Sequence, residues 1–125
     1  MQNTLLVMAG GAIGAACRYQ LGRLMTHVMG TGYPWGTLTA NVLGGLAMGL
    51  LAGILARFVG GGGQIRLFVA VGVLGGFTTF SSFSLEVVLM LERGQMAMAL
   101  GYIAASVIGA VGMMALGLLM VRAVA

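Results

Sequence analysis

Three long stretches of this chain are almost free of charge, and a fourth at its start is nearly as apolar. A helix crossing the hydrocarbon layer of a bilayer needs about 20 mainly apolar residues. Thr37 to Ala56 supplies such a run, closed by Arg57, and Met96 to Val121 supplies another, closed by Arg122. Leu67 to Leu91 is interrupted only by Glu86, and the first stretch, Thr4 to Met25, carries Arg18 and Arg23 near its far end. The pattern predicts an all-α membrane protein of four transmembrane helices over approximately 4–25, 37–56, 67–91 and 96–121, in a single domain over 1–125. Short segments separate them: His27 to Gly36 with Pro34-Trp35, the run Gly60-Gly61-Gly62-Gly63, and the tight turn Glu92-Arg93-Gly94. Tyr33 and Trp35 fall where interfacial aromatics belong.

Composition strengthens this reading and removes others. Only 6% of the 125 residues are charged, against about 25% in an ordinary soluble domain, so most of the surface must face lipid. The net charge is +4, yet no lysine occurs and the six arginines are scattered singly. A nucleic-acid binder gathers its basic residues on one face, so no nucleic-acid partner is expected. One histidine, two glutamates and one cysteine leave no catalytic constellation and no metal-ligand spacing, so the chain does not read as an enzyme. Cys17, in an apolar run, reads as a small buried filler. The segment Gly14-Ala15-Ala16-Cys17 looks like a lipoprotein cleavage box, but no basic residue precedes Arg18. A leader needs one, so residues 1–17 are expected to remain as structure.

Arginine placement normally fixes orientation, because the cytoplasmic loops carry the excess. Arg18, Arg23 and Arg93 fall on one side of the four spans, and Arg57, Arg66 and Arg122 on the other. With no bias the chain is expected to insert both ways up, which permits an antiparallel homodimer. Glycines four apart, Gly10 with Gly14 and Gly45 with Gly49 and Gly53, suit close helix packing.

Polar groups at membrane depth face a partner or a water-filled path, because leaving them bare in hydrocarbon is costly. Thr37 and Asn41 lie one turn apart on the second span, and Tyr102 and Ser106 one turn apart on the fourth. Each has two readings, a hydrogen-bonded helix contact or part of a polar track. The third span is densest, with Gly75-Gly76-Phe77-Thr78-Thr79-Phe80-Ser81-Ser82-Phe83-Ser84. Hydroxyl side chains offer the backbone competing bonds and glycine weakens the helix, so a break is expected there. Freed carbonyls suit a hard cation, and half-helix amides suit an anion. Phe80 and Phe83 read either as lipid-facing or core side chains, or as rings whose positive edges stabilise a small anion.

The motifs Gly10-Gly11 through Gly14-Ala15 to Arg18-Tyr19, Pro34-Trp35-Gly36-Thr37-Leu38 with Asn41, Gly44 and Gly45, and Gly75 to Ser84 with Glu86 carry a resemblance. Over essentially its whole length the sequence resembles the Fluc family, the CrcB-type bacterial fluoride channels. The resemblance implies a multi-pass protein of the bacterial inner membrane. It implies an antiparallel, dual-topology homodimer with two pores along the subunit interface, passing fluoride passively out of the cytoplasm. Phe80 and Phe83 match the phenylalanines that contact fluoride, Asn41 the pore-side amide, and Tyr102 and Ser106 the polar track. Thr37, Thr79, Ser82 and Glu86 complete the implied pore set. Arg18 matches the vestibule arginine. Gly75 and Thr78 match positions whose backbone carbonyls enclose a structural sodium ion. Ala110 departs from relatives that continue the hydroxyl track one turn beyond Ser106. The alternative is a dual-topology small multidrug exporter, which needs a carboxylate in its first span, where residues 4–17 have none.

Overall fold

A computed structural model describes residues 1–124. The described chain is all helical. Helix α1 is Gln2–Met29 and α2 is Trp35–Leu55. Helix α3 covers residues 63–77 and is composite, with α geometry over Gly63–Ile65, π geometry over Arg66–Leu74 and α geometry again over Gly75–Phe77. Helix α4 is Ser81–Glu92 and α5 is Met96–Val124.

Three segments are long and apolar enough to cross a membrane: Trp35–Leu55, Val59–Glu92 and Met96–Val124. The expectation of four is thus met for three. Helix α1, at 28 residues, is long enough to cross at 1.5 Å per residue. It falls short in apolarity because Gln2, Asn3, Arg18, Gln20, Arg23 and His27 all lie on it.

Backbone proximity sets the arrangement. The most extensive contact joins α2 to α5, and the next joins α1 to the π-helical stretch of α3. Gly45 faces Ala110, Gly49 faces Met114 and Gly53 faces Val121, so α2 and α5 run parallel. Gly10 faces Gly72 and Gly14 faces Val73 and Phe77, so α1 and α3 also run parallel. At Gly45 a Cβ would lie 2.6 Å from the Ala110 carbonyl oxygen. Such close approach is how helices associate in lipid, where burial of apolar surface gives no drive.

The connections follow turn chemistry. Gly94 takes φ 77° between α4 and α5, a conformation that costs a side-chain-bearing residue energy. The core is small: Phe83, Met90, Ala99 and Tyr102, flanked by Tyr33, Leu38, Val87 and Ile103. Cys17 is exposed on α1 rather than buried as its apolar surroundings suggested. Within the run 12–17 no polar residue marks which side faces outward.

Candidate functional site

The site forms where the third long segment is interrupted. Helix α3 ends at Phe77, Thr78 is extended at φ −87° and ψ 157°, and α4 begins at Ser81. Side chains from two neighbouring helices grip this passage. The Asn41 amide on α2 brackets Thr79: Nδ2 donates to the Thr79 carbonyl at 2.9 Å, and the Thr79 N–H donates to Oδ1 at 2.8 Å. From α1, Arg18 Nε donates to the Gly76 carbonyl at 3.3 Å.

The hydroxyl residues act locally, as their chemistry dictates. Thr79 Oγ1 accepts the Ser82 N–H at 3.2 Å and lies 3.4 Å from the Ser81 hydroxyl. The Thr78 hydroxyl donates to the Leu74 carbonyl at 2.9 Å, and the Ser84 hydroxyl to the Phe80 carbonyl at 2.8 Å.

Beyond the passage the aromatic residues form a ladder. The Phe80 and Phe83 rings lie 5.5 Å apart at 44°. Phe83 packs on Tyr102 at 5.2 Å, and Tyr102 meets Tyr33 nearly edge-on at 5.4 Å and 83°. The two phenylalanines differ sharply in environment: Phe83 is 8% exposed, whereas Phe80 is 76% exposed. Tyr33, in the connection before α2, stacks on Trp35 at 4.7 Å, and burial pushes its phenol pKa up.

A cavity of about 480 Å³ opens beside these rings, lined by Asn41, Gly75, Thr78, Thr79, Phe80, Phe83 and Ser106 among others. Ser106 is 6% exposed and its hydroxyl has no hydrogen-bond partner. A buried polar atom of this kind calls for an explanation, such as a water or an ion in the adjoining cavity. No carboxylate lines this cavity. Ala110 lines it one turn beyond Ser106.

The remaining expected residues form a second cluster. Glu86 on α4 accepts from Thr37 Oγ1 at 3.1 Å and from the Tyr102 hydroxyl at 2.9 Å. Tyr102 joins the clusters, with its ring on Phe83 and its hydroxyl on Glu86. Glu86 and Thr37 also line an open cavity of about 820 Å³, with Arg18, Arg23, His27 and Arg93. Among the described residues, no group of three His, Cys, Asp or Glu side chains is placed to hold a metal ion.

The structure thus brings Asn41, Gly75, Thr78, Thr79, Phe80, Phe83 and Ser106 to one cavity, with Ser82 tied to Thr79 beside it, and Thr37 and Glu86 to another, with Tyr102 bonded to Glu86. Arg18 connects the large cavity to the Gly76 carbonyl. Arg23, His27 and Arg93 were not singled out from the sequence. Their signal was available in part, since His27 follows Arg23 by four residues, about one helical turn.

A protein-family model described as CrcB-like protein, Camphor Resistance (CrcB), matches residues 5–118. The chain belongs to this family. Among CrcB-family relatives, the fluoride-specific ion channel FluC of Sphingopyxis alaskensis is 52% identical over 122 residues, covering 98% of this chain and 97% of that protein. The protein of the same name from Rhodospirillum centenum is 50% identical over 122 residues, with 98% and 97% covered. That from Phenylobacterium zucineum is 53% identical over 125 residues, with 99% and 98% covered. Every site residue described above falls within the matched span.

Proposed function

We propose that this chain is a fluoride-selective ion channel, through which fluoride leaves the cytoplasm by passive electrodiffusion, lowering its toxicity. The observation that carries the reading is the cavity beside the interruption, where an unpartnered Ser106 hydroxyl meets the Phe80 and Phe83 rings and the Asn41 amide. A small anion gives up water only where donors replace it, and a ring edge carries partial positive charge. The printed names of the relatives point to the same ion.

The residues divide the work. Arg18, Arg23 and Arg93 at the large open cavity raise the local anion concentration. Thr37 and Tyr102 hold Glu86 by hydrogen bonds at the wall of that cavity, so that donors offset part of its negative charge. Ser106, Thr79 and Ser82 offer hydroxyls in succession, and weak serial sites permit both entry and exit.

The pores belong to the face between two antiparallel copies, each lined by both chains. The exposure of Phe80, together with the balanced arginines, supports that assembly. In it all four spans cross, α1 included, in the inner membrane of a bacterium. The Gly75 and Thr78 carbonyls of both copies would hold a sodium ion at the dimer centre. Unwound backbone of this kind is the usual sodium ligand inside membranes. These residues fit that role because the Thr79 and Ser82 N–H groups donate to side chains and leave the two carbonyls unclaimed. A bound ion there would supply positive charge tying the two interrupted helices together. The exporter reading has no support on α1, which carries no carboxylate.

The test is efflux from liposomes holding the purified protein. Fluoride should leave far faster than chloride, and equal release of both ions, or of neither, overturns the selectivity. A tag at Ala125 should be found on both faces of the membrane; a tag on one face only excludes dual insertion.

A further inference from the structure

We infer that Asn41 is a positioning residue for the cation centre, acting through Thr79. The inference rests on the reading that the Gly75 and Thr78 carbonyls hold a cation. In an unbroken α-helix each N–H donates to the carbonyl four residues earlier. Gly75 would then receive the Thr79 N–H, and Thr78 would receive the Ser82 N–H. Here the Thr79 N–H donates to Asn41 Oδ1 at 2.8 Å, and the Ser82 N–H donates to Thr79 Oγ1 at 3.2 Å. Both carbonyls are released because side chains divert the donors that would occupy them.

One amide sustains the arrangement. Asn41 also donates to the Thr79 carbonyl at 2.9 Å, so Thr79 is held on both edges of its backbone. While that grip lasts, Thr79 cannot rotate to bond Gly75, and its hydroxyl stays turned toward Ser82. The task demands an acceptor and a donor on one planar head, which asparagine has and an ionised aspartate lacks. The same helix clears the ground nearby. Gly44, three residues on, lies beneath Thr78, and a Cβ there would run into the Thr78 side chain. Asn41 therefore has two duties, lining the anion cavity and keeping the oxygens of the cation centre free.

The experiment uses the purified dimer, with assembly followed by size-exclusion chromatography. Sodium is raised against choline, and two quantities are read: the shift in Tm, which needs no transport, and fluoride efflux. Binding to the folded state alone raises Tm with ion concentration. Asn41→Ala should raise at least tenfold the sodium midpoint, taken as the concentration at which Tm begins to rise and as that for half-maximal efflux. Ser106→Ala, in the same cavity but not touching Thr79, should lower flux without moving the sodium midpoint. A folded Asn41→Ala with reduced flux and the wild-type sodium midpoint overturns the inference, leaving Asn41 as a pore-lining group only. If the alanine variant does not assemble, Asn41→Asp keeps the acceptor and the shape but loses the donor. It should raise the midpoint several-fold, and an unmoved midpoint overturns the inference equally. Wild-type fluoride flux and Tm that ignore sodium would remove the cation centre and this inference with it, while the fluoride reading stands.

Discussion

The α2–α5 seam and the interruption between α3 and α4 place their small and polar residues to opposite ends. Along the seam, Gly45 and Gly49 admit α5 so closely that a Cβ on either would strike the carbonyl of Ala110 or Met114. Gly117 answers from α5, where a Cβ would lie 2.7 Å from the Leu46 carbonyl oxygen. That surface is finished within one chain. At the interruption the Ser106 hydroxyl has no partner, and Phe80 stands 76% exposed while its neighbour Phe83 is enclosed. The contrast teaches where to look for function in a small membrane protein. Backbone-to-backbone closeness marks what the fold needs for itself. Bare polar atoms and unenclosed rings mark what it holds ready for something else.

Substitutions sharpen that contrast. Gly49→Val should have the largest effect, because overpacking a filled seam costs about 1–3 kcal/mol or more and the obstacle is backbone. Folded protein recovered after detergent extraction should fall severely, and full recovery would show that the seam yields. Phe80→Ile and Phe83→Ile should each reduce fluoride efflux at least tenfold with the dimer intact. Only Phe83→Ile should also lower Tm, since only that ring is enclosed; equal Tm losses would erase the distinction drawn between them. Ser106→Ala should leave stability within about 1 kcal/mol of wild type, because no intramolecular bond is lost. It should still slow efflux several-fold, and unchanged flux would make the orphan hydroxyl incidental. The smallest effect belongs to Thr37→Val. It removes one of two donors to Glu86, worth about 1 kcal/mol for a typical bond, and should slow efflux by a few-fold. A loss as large as that of the phenylalanine variants would move Glu86 to the centre of the path.

Much of this was legible in the residues. Uncharged runs bounded by Arg57 and Arg122 located α2 and α5 to within a few positions, because lipid tolerates no charge there. The glycine spacings on α1 and α2 announced close helix contacts, though not which helices would meet. Crowded hydroxyls after Gly75-Gly76 pointed to the stretch where helical geometry stops at Phe77 and resumes at Ser81. What could not be read depends on geometry between helices. That Asn41 would meet Thr79 with both amide atoms needs the rotation of α2 against α3, and spacing along one helix does not encode it. The Glu86 cluster draws on three helices and was hidden for the same reason. The end of α1 was blurred by Arg18 and Arg23, which sit inside the helix rather than beyond it. The exposure of Cys17 was invisible because the residues leading up to it, 12–16, are all apolar or small.

The π-helical stretch Arg66–Leu74 has a bearing on how this sequence tolerates length change. Each hydrogen bond there closes over one residue more than in an α-helix, so the stretch stores slack. Losing a residue elsewhere in a span turns everything beyond it by about 100° and brings other side chains to face the cavity. Within Arg66–Leu74 a deletion is expected to be taken up at least in part by a return to α geometry, so that the flanking segments turn by less.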